Sequence, residues 1–242
     1  MTSFVAFPDI HDKSTALKTI RHVLADVDVV LLPGDMTNGN VENLHTILDM
    51  ISNYNEQIYA VCGNMDTAQM NMWLAREHIS IHRKHVFVDD LAIIGCGGAL
   101  PFYGSYVFSE DELAGFLNDS IRNAPDEMPK IMVCHQPPYG TLDTPSGSDK
   151  HAGSKSVRDF IERVQPLICF TGHMHSSIGI ERIGNTQVIN PGPIWESNQY
   201  AYGEVENGDV ITLEIREVEA LDLGFYYGQS GNGVTDILQE SN

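Results

Sequence analysis

Basic residues are scarce in this sequence: 14 Lys and Arg stand against 33 Asp and Glu, for a net charge of −19 with histidine neutral. Unspecific nucleic-acid binding draws most of its affinity from neutralised phosphates, so this balance weighs against a nucleic-acid partner. Such a chain repels a polyanion except where bound cations reverse the local field. Elsewhere the acidic excess reads as a solvated, self-repelling surface. Long apolar runs are also missing: none approaches the ~18 residues of a membrane span, so no membrane partner is expected. The opening stretch Met1–Pro8 lacks a basic segment and breaks into acidic residues, which argues against a signal peptide. Of the four cysteines, Cys62, Cys96, Cys134 and Cys169, no two have C-x-x-C spacing. They read as reduced small hydrophobes in core strands, and a cytoplasmic location is expected from them. No internal repeat is present.

What the chain does have is enough apolar material for a sizeable core, 42% hydrophobic in 242 residues. A single domain over 1–227 is expected, with 228–242, opening on the glycine-containing run Gly228–Gly233, as a loose tail. Apolar runs at 4–7, 27–32, 58–62, 131–134 and 167–171 read as buried strands. Further strands are expected at 79–81, 85–88, 91–95, 177–183, 186–189, 201–205 and 210–218, with Asp89-Asp90 turning a hairpin. Helices are expected from Ser14, after the cap Asn38-Gly39-Asn40, and after the capping box Ser109–Glu112. Another is expected after a capping box Ser156–Asp159, ending at Pro166. Gln136 to Ser154 is a long polar loop of the length that marks a lid or a mobile segment. Strand–helix alternation followed by mostly strands predicts an α/β fold with mixed sheets and ligands at the strands' carboxyl ends.

Five of those strand ends carry metal-type residues: Asp9 and His11, Asp35, Asn64, His135, and His173 with His175. In an extended backbone residues i and i+2 share a side, which predicts that His173 and His175 leave their strand as a pair of neighbouring imidazoles. Two carboxylates, one amide and four imidazoles exceed the four ligands of one zinc ion and suit two ions sharing a carboxylate. Without thiolate, the set points to Mn, Fe, Zn or Ni. Such a pair lowers the pKa of a bridging water and spreads the charge of an in-line displacement at phosphorus. Gly34, Gly63 and Gly172 are expected to let the backbone turn sharply beside the ions.

Asp9-Ile10-His11, Gly34-Asp35, Gly63-Asn64-Met65-Asp66, the lone His135 and Gly172-His173-Met174-His175, in this order, resemble the calcineurin-like metallophosphoesterase superfamily over about residues 4–192. The resemblance implies a four-layer αββα sandwich with a di-metal centre, manganese favoured. It implies that Asp9, His11 and His175 hold one metal and Asn64, His135 and His173 the other, with Asp35 bridging. His151-x-Gly-Ser154 and Asn190-Pro191-Gly192 are similar to a smaller prokaryotic group within it.

Two positions depart from that pattern. Met65 stands where many members carry a histidine thought to protonate the leaving group or steer the phosphate, and a thioether has no proton to give. His151 is the candidate replacement, against the plainer reading of a solvated loop histidine; with Asn64 it makes up the candidate catalytic residues. Asp12 stands where the family often has Gly, and is expected to change the turn or add an outer acceptor. Asp66 is expected to orient the Gly63–Asp66 turn; His78, His82 and His85 read as surface residues. Tyr103, Tyr139 and Trp195 line the cleft or pack in the core. The expected function is a di-metal phosphoesterase acting on a small phosphoester, a diester favoured. The alternatives are a monoesterase with the same site and a non-catalytic protein-binding scaffold on the same fold.

Overall fold

The computed structural model describes residues 1–218. The expected loose tail at 228–242 lies outside them, as do the last residues of the expected domain. In chain order the elements begin with β1 (Thr2–Ala6), a 3-10 helix (Ser14–Ile20), α1 (Arg21–Asp26), β2 (Val29–Pro33), α2 (Val41–Ser52), β3 (Ile58–Val61) and α3 (Ala68–Arg76). There follow β4 (His85–Val88), β5 (Leu91–Cys96), α4 (Glu110–Ser120), β6 (Lys130–Cys134), α5 (Lys155–Val164) and β7 (Ile168–Phe170). The described chain ends with β8 (Gly179–Ile183), β9 (Thr186–Asn190), α6 (Ile194–Ser197), β10 (Gln199–Glu206) and β11 (Asp209–Glu217).

The strands form two mixed sheets, ordered β11-β10-β1-β2-β3 and β4-β5-β6-β7-β9-β8. β1, β2 and β3 run parallel in the first, and β5, β6, β7 and β9 in the second. Near-continuous apolar runs such as Val29–Leu32 are what a parallel strand covered on both faces requires. Alternate residues divide those runs between two cores. Phe4, Leu31, Val133 and Phe170 meet between the sheets, while Val5, Val30 and Leu32 face the 3-10 helix, α1, α2 and α3. Met132, Cys134 and Cys169 pack on the other outer side, against α4 and α5. Helices on both outer faces of two apposed sheets make the expected αββα sandwich.

Three local readings change. The residues from Ser14 to Ile20 wind as a 3-10 helix before α1 takes over. Residues 79–81 form no strand: Ser80 makes a single bridge to Ala60, and His82, just beyond them, another to Gly95. α5 starts two residues earlier than its apparent capping box. Ser154 accepts from Val157 N–H, and the reaching carboxylate is Glu110 of α4, which accepts from Ser154 Oγ (2.5 Å), Lys155 N (2.9 Å) and Ser156 N (3.0 Å). Two short helices, α3 and α6, carry too little apolar periodicity to be read in advance; α3 buries only Met70 and Leu74.

The stretch 136–154 has no helix or strand of its own but is tied down. Buried Asp143 accepts from Gly140 N, Gly153 N and His151 Nδ1 (2.7 Å), and Gln136 donates to Ala152 O.

Candidate metal centre

The carboxyl ends of β1, β2, β3, β6 and β7 meet along one edge of the sandwich, and each chain turns sharply on leaving its strand. Asp9 (φ 55°), His11 (φ 48°), Asp35 (φ 51°) and His173 (φ 68°) all sit in the left-handed region. A non-glycine residue there costs of order 1–3 kcal/mol and persists only where surrounding bonds over-determine it. Here they do: Asp9 N–H donates to Gly34 O and His11 N–H to Asp35 O, lacing the first two turns together. Of the three glycines only Gly34 (φ +93°) has the left-handed twist. Gly63 and Gly172 are needed for room, since a Cβ would strike Asp35 Oδ1 at Gly63 and come within 2.7 Å of Asp9 Oδ2 at Gly172.

The sequence-predicted ligands converge as two groups. Asp9, His11 and His175 form one and Asp35, His135 and His173 the other, the ligand atoms of each lying within 4.8 Å of one another. His173 and His175 therefore part company. The left-handed turn at His173 breaks the extended geometry that would have kept them side by side, and their rings join opposite groups. Asp35 lies between: its Oδ2 is 3.8 Å from His11 Nε2 and 3.5 Å from His135 Nε2, while Oδ1 accepts Met65 N–H at 2.7 Å. Asn64 Oδ1 is 3.0 Å from His135 Nε2.

The hydrogen-bond partners decide what those facing atoms are. Asp12 is acceptor-only and takes Asn38 Nδ2–H (2.9 Å), so Asn38 Oδ1 must face His11 Nδ1 (2.9 Å). His11 then donates from Nδ1, which turns its Nε2 toward His175 Nε2 (3.2 Å) and Asp9. The same holds across the site: His135 Nδ1 donates to Pro33 O (2.9 Å), and Asn64 Nδ2 donates to Tyr103 O (3.0 Å). His135 Nε2, Asn64 Oδ1 and Asp35 Oδ2 thus converge where one cation, a proton or a metal ion, must sit. Acceptors aimed at acceptors in a buried space are what a cation satisfies, and imidazole with carboxylate and amide oxygen is a donor set for a divalent transition metal. Two such ions fit these residues.

The local field favours positive charge in that space. At His135 burial opposes charge, yet the attraction of Asp35 and then Asp9 outweighs it and raises the imidazole to about 9. Burial is also the largest influence at Asp35, but His135, His11 and the Met65 N–H overcome it and lower its carboxyl. Burial, with His135 beside it, depresses His173 to about 4, keeping its ring neutral. The hydrogen bond to Asp9 leads a rise at His175.

Outside the groups, Asp66 is buried and accepts from Gly63 N, Thr37 N and Met36 N, holding two of the turns. Burial, with Asp35 nearby, pushes it up to about 7. Asp12 accepts from Asn38 and Asn43, an outer acceptor as expected. Asn38 and Trp195, whose Nε1–H donates to Asp9 O (3.0 Å), are site residues whose contacts no local pattern signals. His82 is no surface residue: it is packed among Tyr106, Phe108 and Phe116, accepts Gly97 N–H, and is lowered to about 4 by burial and then Arg83.

The two groups floor a cleft of about 580 Å³ walled by Met65, Leu100, Pro101, Phe102, Tyr103 and Met174. The structure does not bring His151 there. Its Nδ1 is on Asp143, its ring lies 5.3 Å from Tyr139, and it lines a separate, smaller cavity with Thr144 and Glu181.

A family model described as calcineurin-like phosphoesterase matches residues 2–177. The chain is 32% identical over 197 residues to the uncharacterized protein MJ1162 of Methanocaldococcus jannaschii, covering 78% of this chain and 87% of that one. Among solved structures it is similar to TT1561 of Thermus thermophilus, with a TM-score of 0.69 and 18% identity over 90% of this chain and 99% of that one. It is also similar to a 5'-nucleotidase of Candida albicans, with a TM-score of 0.56 and 12% identity over 93% of this chain and 52% of that one.

Proposed function

The chain belongs to the calcineurin-like phosphoesterase family, and on that premise we propose that it is a di-metal phosphoesterase that hydrolyses a small phosphodiester. The observation that carries the reading is the pair of ligand clusters, Asp9/His11/His175 and Asp35/His135/His173, joined at Asp35 on the floor of one cleft. Asp9, His11 and His175 would hold one ion; Asn64, His135 and His173 the other; Asp35 both. Two bound ions supply Lewis acidity, activating a water and neutralising charge on the phosphoryl oxygens.

The protein's own groups do the rest. Asn38 and Pro33 O keep His11 and His135 in the tautomer that presents Nε2. The Met65 N–H and the His173 N–H hold the Asp35 and Asp9 carboxylates in place. One water is consumed: its oxygen joins phosphorus, the P–O bond to the leaving group breaks, and the departing oxygen ends with a proton.

A diester is favoured over a monoester by what the cleft walls offer. Among the described residues no lysine or arginine lines the cleft, so the second negative charge of a monoester dianion finds no side-chain cation. Met65 gives no proton to a poor leaving group. His151 lines the neighbouring cavity and does not reach the cleft, so the reading gives it no acid role.

The test is metal content together with hydrolysis of an aryl phosphodiester and of the matching monoester, with Mn²⁺ added and after chelation. Two ions per chain, chelator-sensitive turnover and a preference for the diester are expected. No bound metal in either condition would overturn the reading; a preference for the monoester would overturn the diester assignment alone.

A further inference from the structure

One wall of the cleft is unlike the rest of the protein surface. Phe102 and Tyr103 stand at its mouth with relative exposures of 95% and 68%, the first of these the highest among the exposed large hydrophobics of the described residues. Exposed aromatics cost apolar hydration, so a pair of them beside a reactive centre asks for a function.

Their backbone is not loose. Tyr103 O accepts from Asn64 Nδ2, and Ser105 N–H (2.9 Å) and Tyr106 N–H (3.2 Å) both donate to Asn64 O. Leu100 N–H donates to Gln136 Oε1 (2.9 Å) at the other end of the strap. Gly104 (φ +91°) lies so close over Asn64 O that any Cβ would collide with it. The strap is therefore bolted to the very residue assigned to one metal, which sets the distance from the two rings to the reacting phosphorus.

The chemistry of the wall narrows what sits there. Leu100, Pro101, Met65 and Met174 add apolar surface, and among the described residues no lysine or arginine lines the cleft. A second phosphate, as in a nucleoside diphosphate or a nucleic-acid strand, would meet no charge partner, whereas a planar apolar group would meet two ring faces and two thioethers.

Building on the phosphodiesterase reading, we propose that the Pro101–Gly104 strap is a stacking platform and that the substrate is a monoanionic phosphodiester bearing a planar aromatic group, aryl or nucleobase, on one ester oxygen. Phe102 and Tyr103 are its specificity-determining residues. Stacking on an aromatic side chain is sequence-tolerant in nucleobases and amounts to roughly tenfold in affinity for each ring.

Product-type monoesters test this without turnover. Dissociation constants of methyl phosphate, phenyl phosphate and adenosine 5'-monophosphate are measured by calorimetry on the Mn²⁺-loaded protein, for wild type, Phe102→Ala/Tyr103→Ala and Tyr103→Phe. Wild type is expected to bind an aromatic phosphate at least about tenfold more tightly than methyl phosphate. The ratio is expected to fall toward one in the double variant and to survive in Tyr103→Phe, which keeps the ring. Phenyl phosphate and the nucleotide binding alike points to a general aryl platform; a nucleotide advantage over phenyl phosphate points to a nucleobase. Equal binding of methyl and aromatic phosphates by wild type, or a ratio that the double variant leaves intact, overturns the platform while leaving the metal centre standing. No binding of any phosphate by the Mn²⁺-treated protein overturns both.

Discussion

Asn38 decides which nitrogen of His11 faces the other ligands, and Asp12 decides which way Asn38 points. The chain Asp12···Asn38···His11 has two hydrogen bonds of 2.9 Å and no freedom of orientation, because a carboxylate can only accept. Asn38→Ala is therefore expected to weaken one of two bound Mn²⁺ ions about 10–100-fold and leave the other near its wild-type affinity, by equilibrium dialysis. Loss of both ions equally, or of neither, would refute the orienting role. Much at this scale was legible beforehand. The seven candidate ligands stand together at the strand ends where the motifs put them, and Asp12 and Asp66 accept hydrogen bonds around those turns. What was not legible is instructive. His82, three residues from His85 in a polar stretch, is packed among three aromatic rings supplied by residues 106–116. No neighbour in sequence announces those rings.

Among the elements, strands and the longer helices follow from apolar periodicity and local caps. Asn40 caps α2 and Ser109 with Glu112 closes a reciprocal box on α4, both as the residue types dictate. α5 shows where that logic stops. The Ser156–Asp159 pattern has the spacing of a box, but Glu110 arrives from α4 to take the Ser154 hydroxyl and two backbone N–H groups. A single carboxylate from another helix thereby joins the two outer helices. Glu110→Ala is expected to cost about 1–2 kcal/mol, read as a lower urea midpoint. Asp159→Ala, which would remove the acceptor of the box suggested by spacing, is expected to stay within about 0.5 kcal/mol. Equal losses in the two variants would restore the local reading.

Across the whole molecule, the two sheets bring their carboxyl edges together, and each candidate metal group draws residues from both. Asp9, His11, Asp35 and Asn64 come from the first sheet, and His135, His173 and His175 from the second. An ion held between them clamps the sandwich as well as the substrate, so binding is linked to folding. Mn²⁺ at 100 times its dissociation constant stabilises by about 2.7 kcal/mol per site, which for a chain of this size raises the melting temperature by about 2–4 °C for each kcal/mol. A melting temperature that Mn²⁺ and chelator leave unmoved would contradict a metal bridging the sheets, independently of any activity.

By itself the sequence determined which residue types stand at which strand ends, because strands and turns obey rules that reach only a few residues along the chain. Periodicity places the buried runs, glycine and proline close them, and the histidines, aspartates and asparagine follow. Only the tertiary structure decided how those residues are shared out. His173 and His175 are two apart in sequence yet join different groups, and His11 meets His175 from 164 residues away. It also decided which imidazole nitrogen faces the group, that His151 turns to Asp143 rather than to the metal groups, and that Phe102 and Tyr103 line the cleft. Each of these depends on partners brought together by packing two sheets face to face, and no local pattern carries that information.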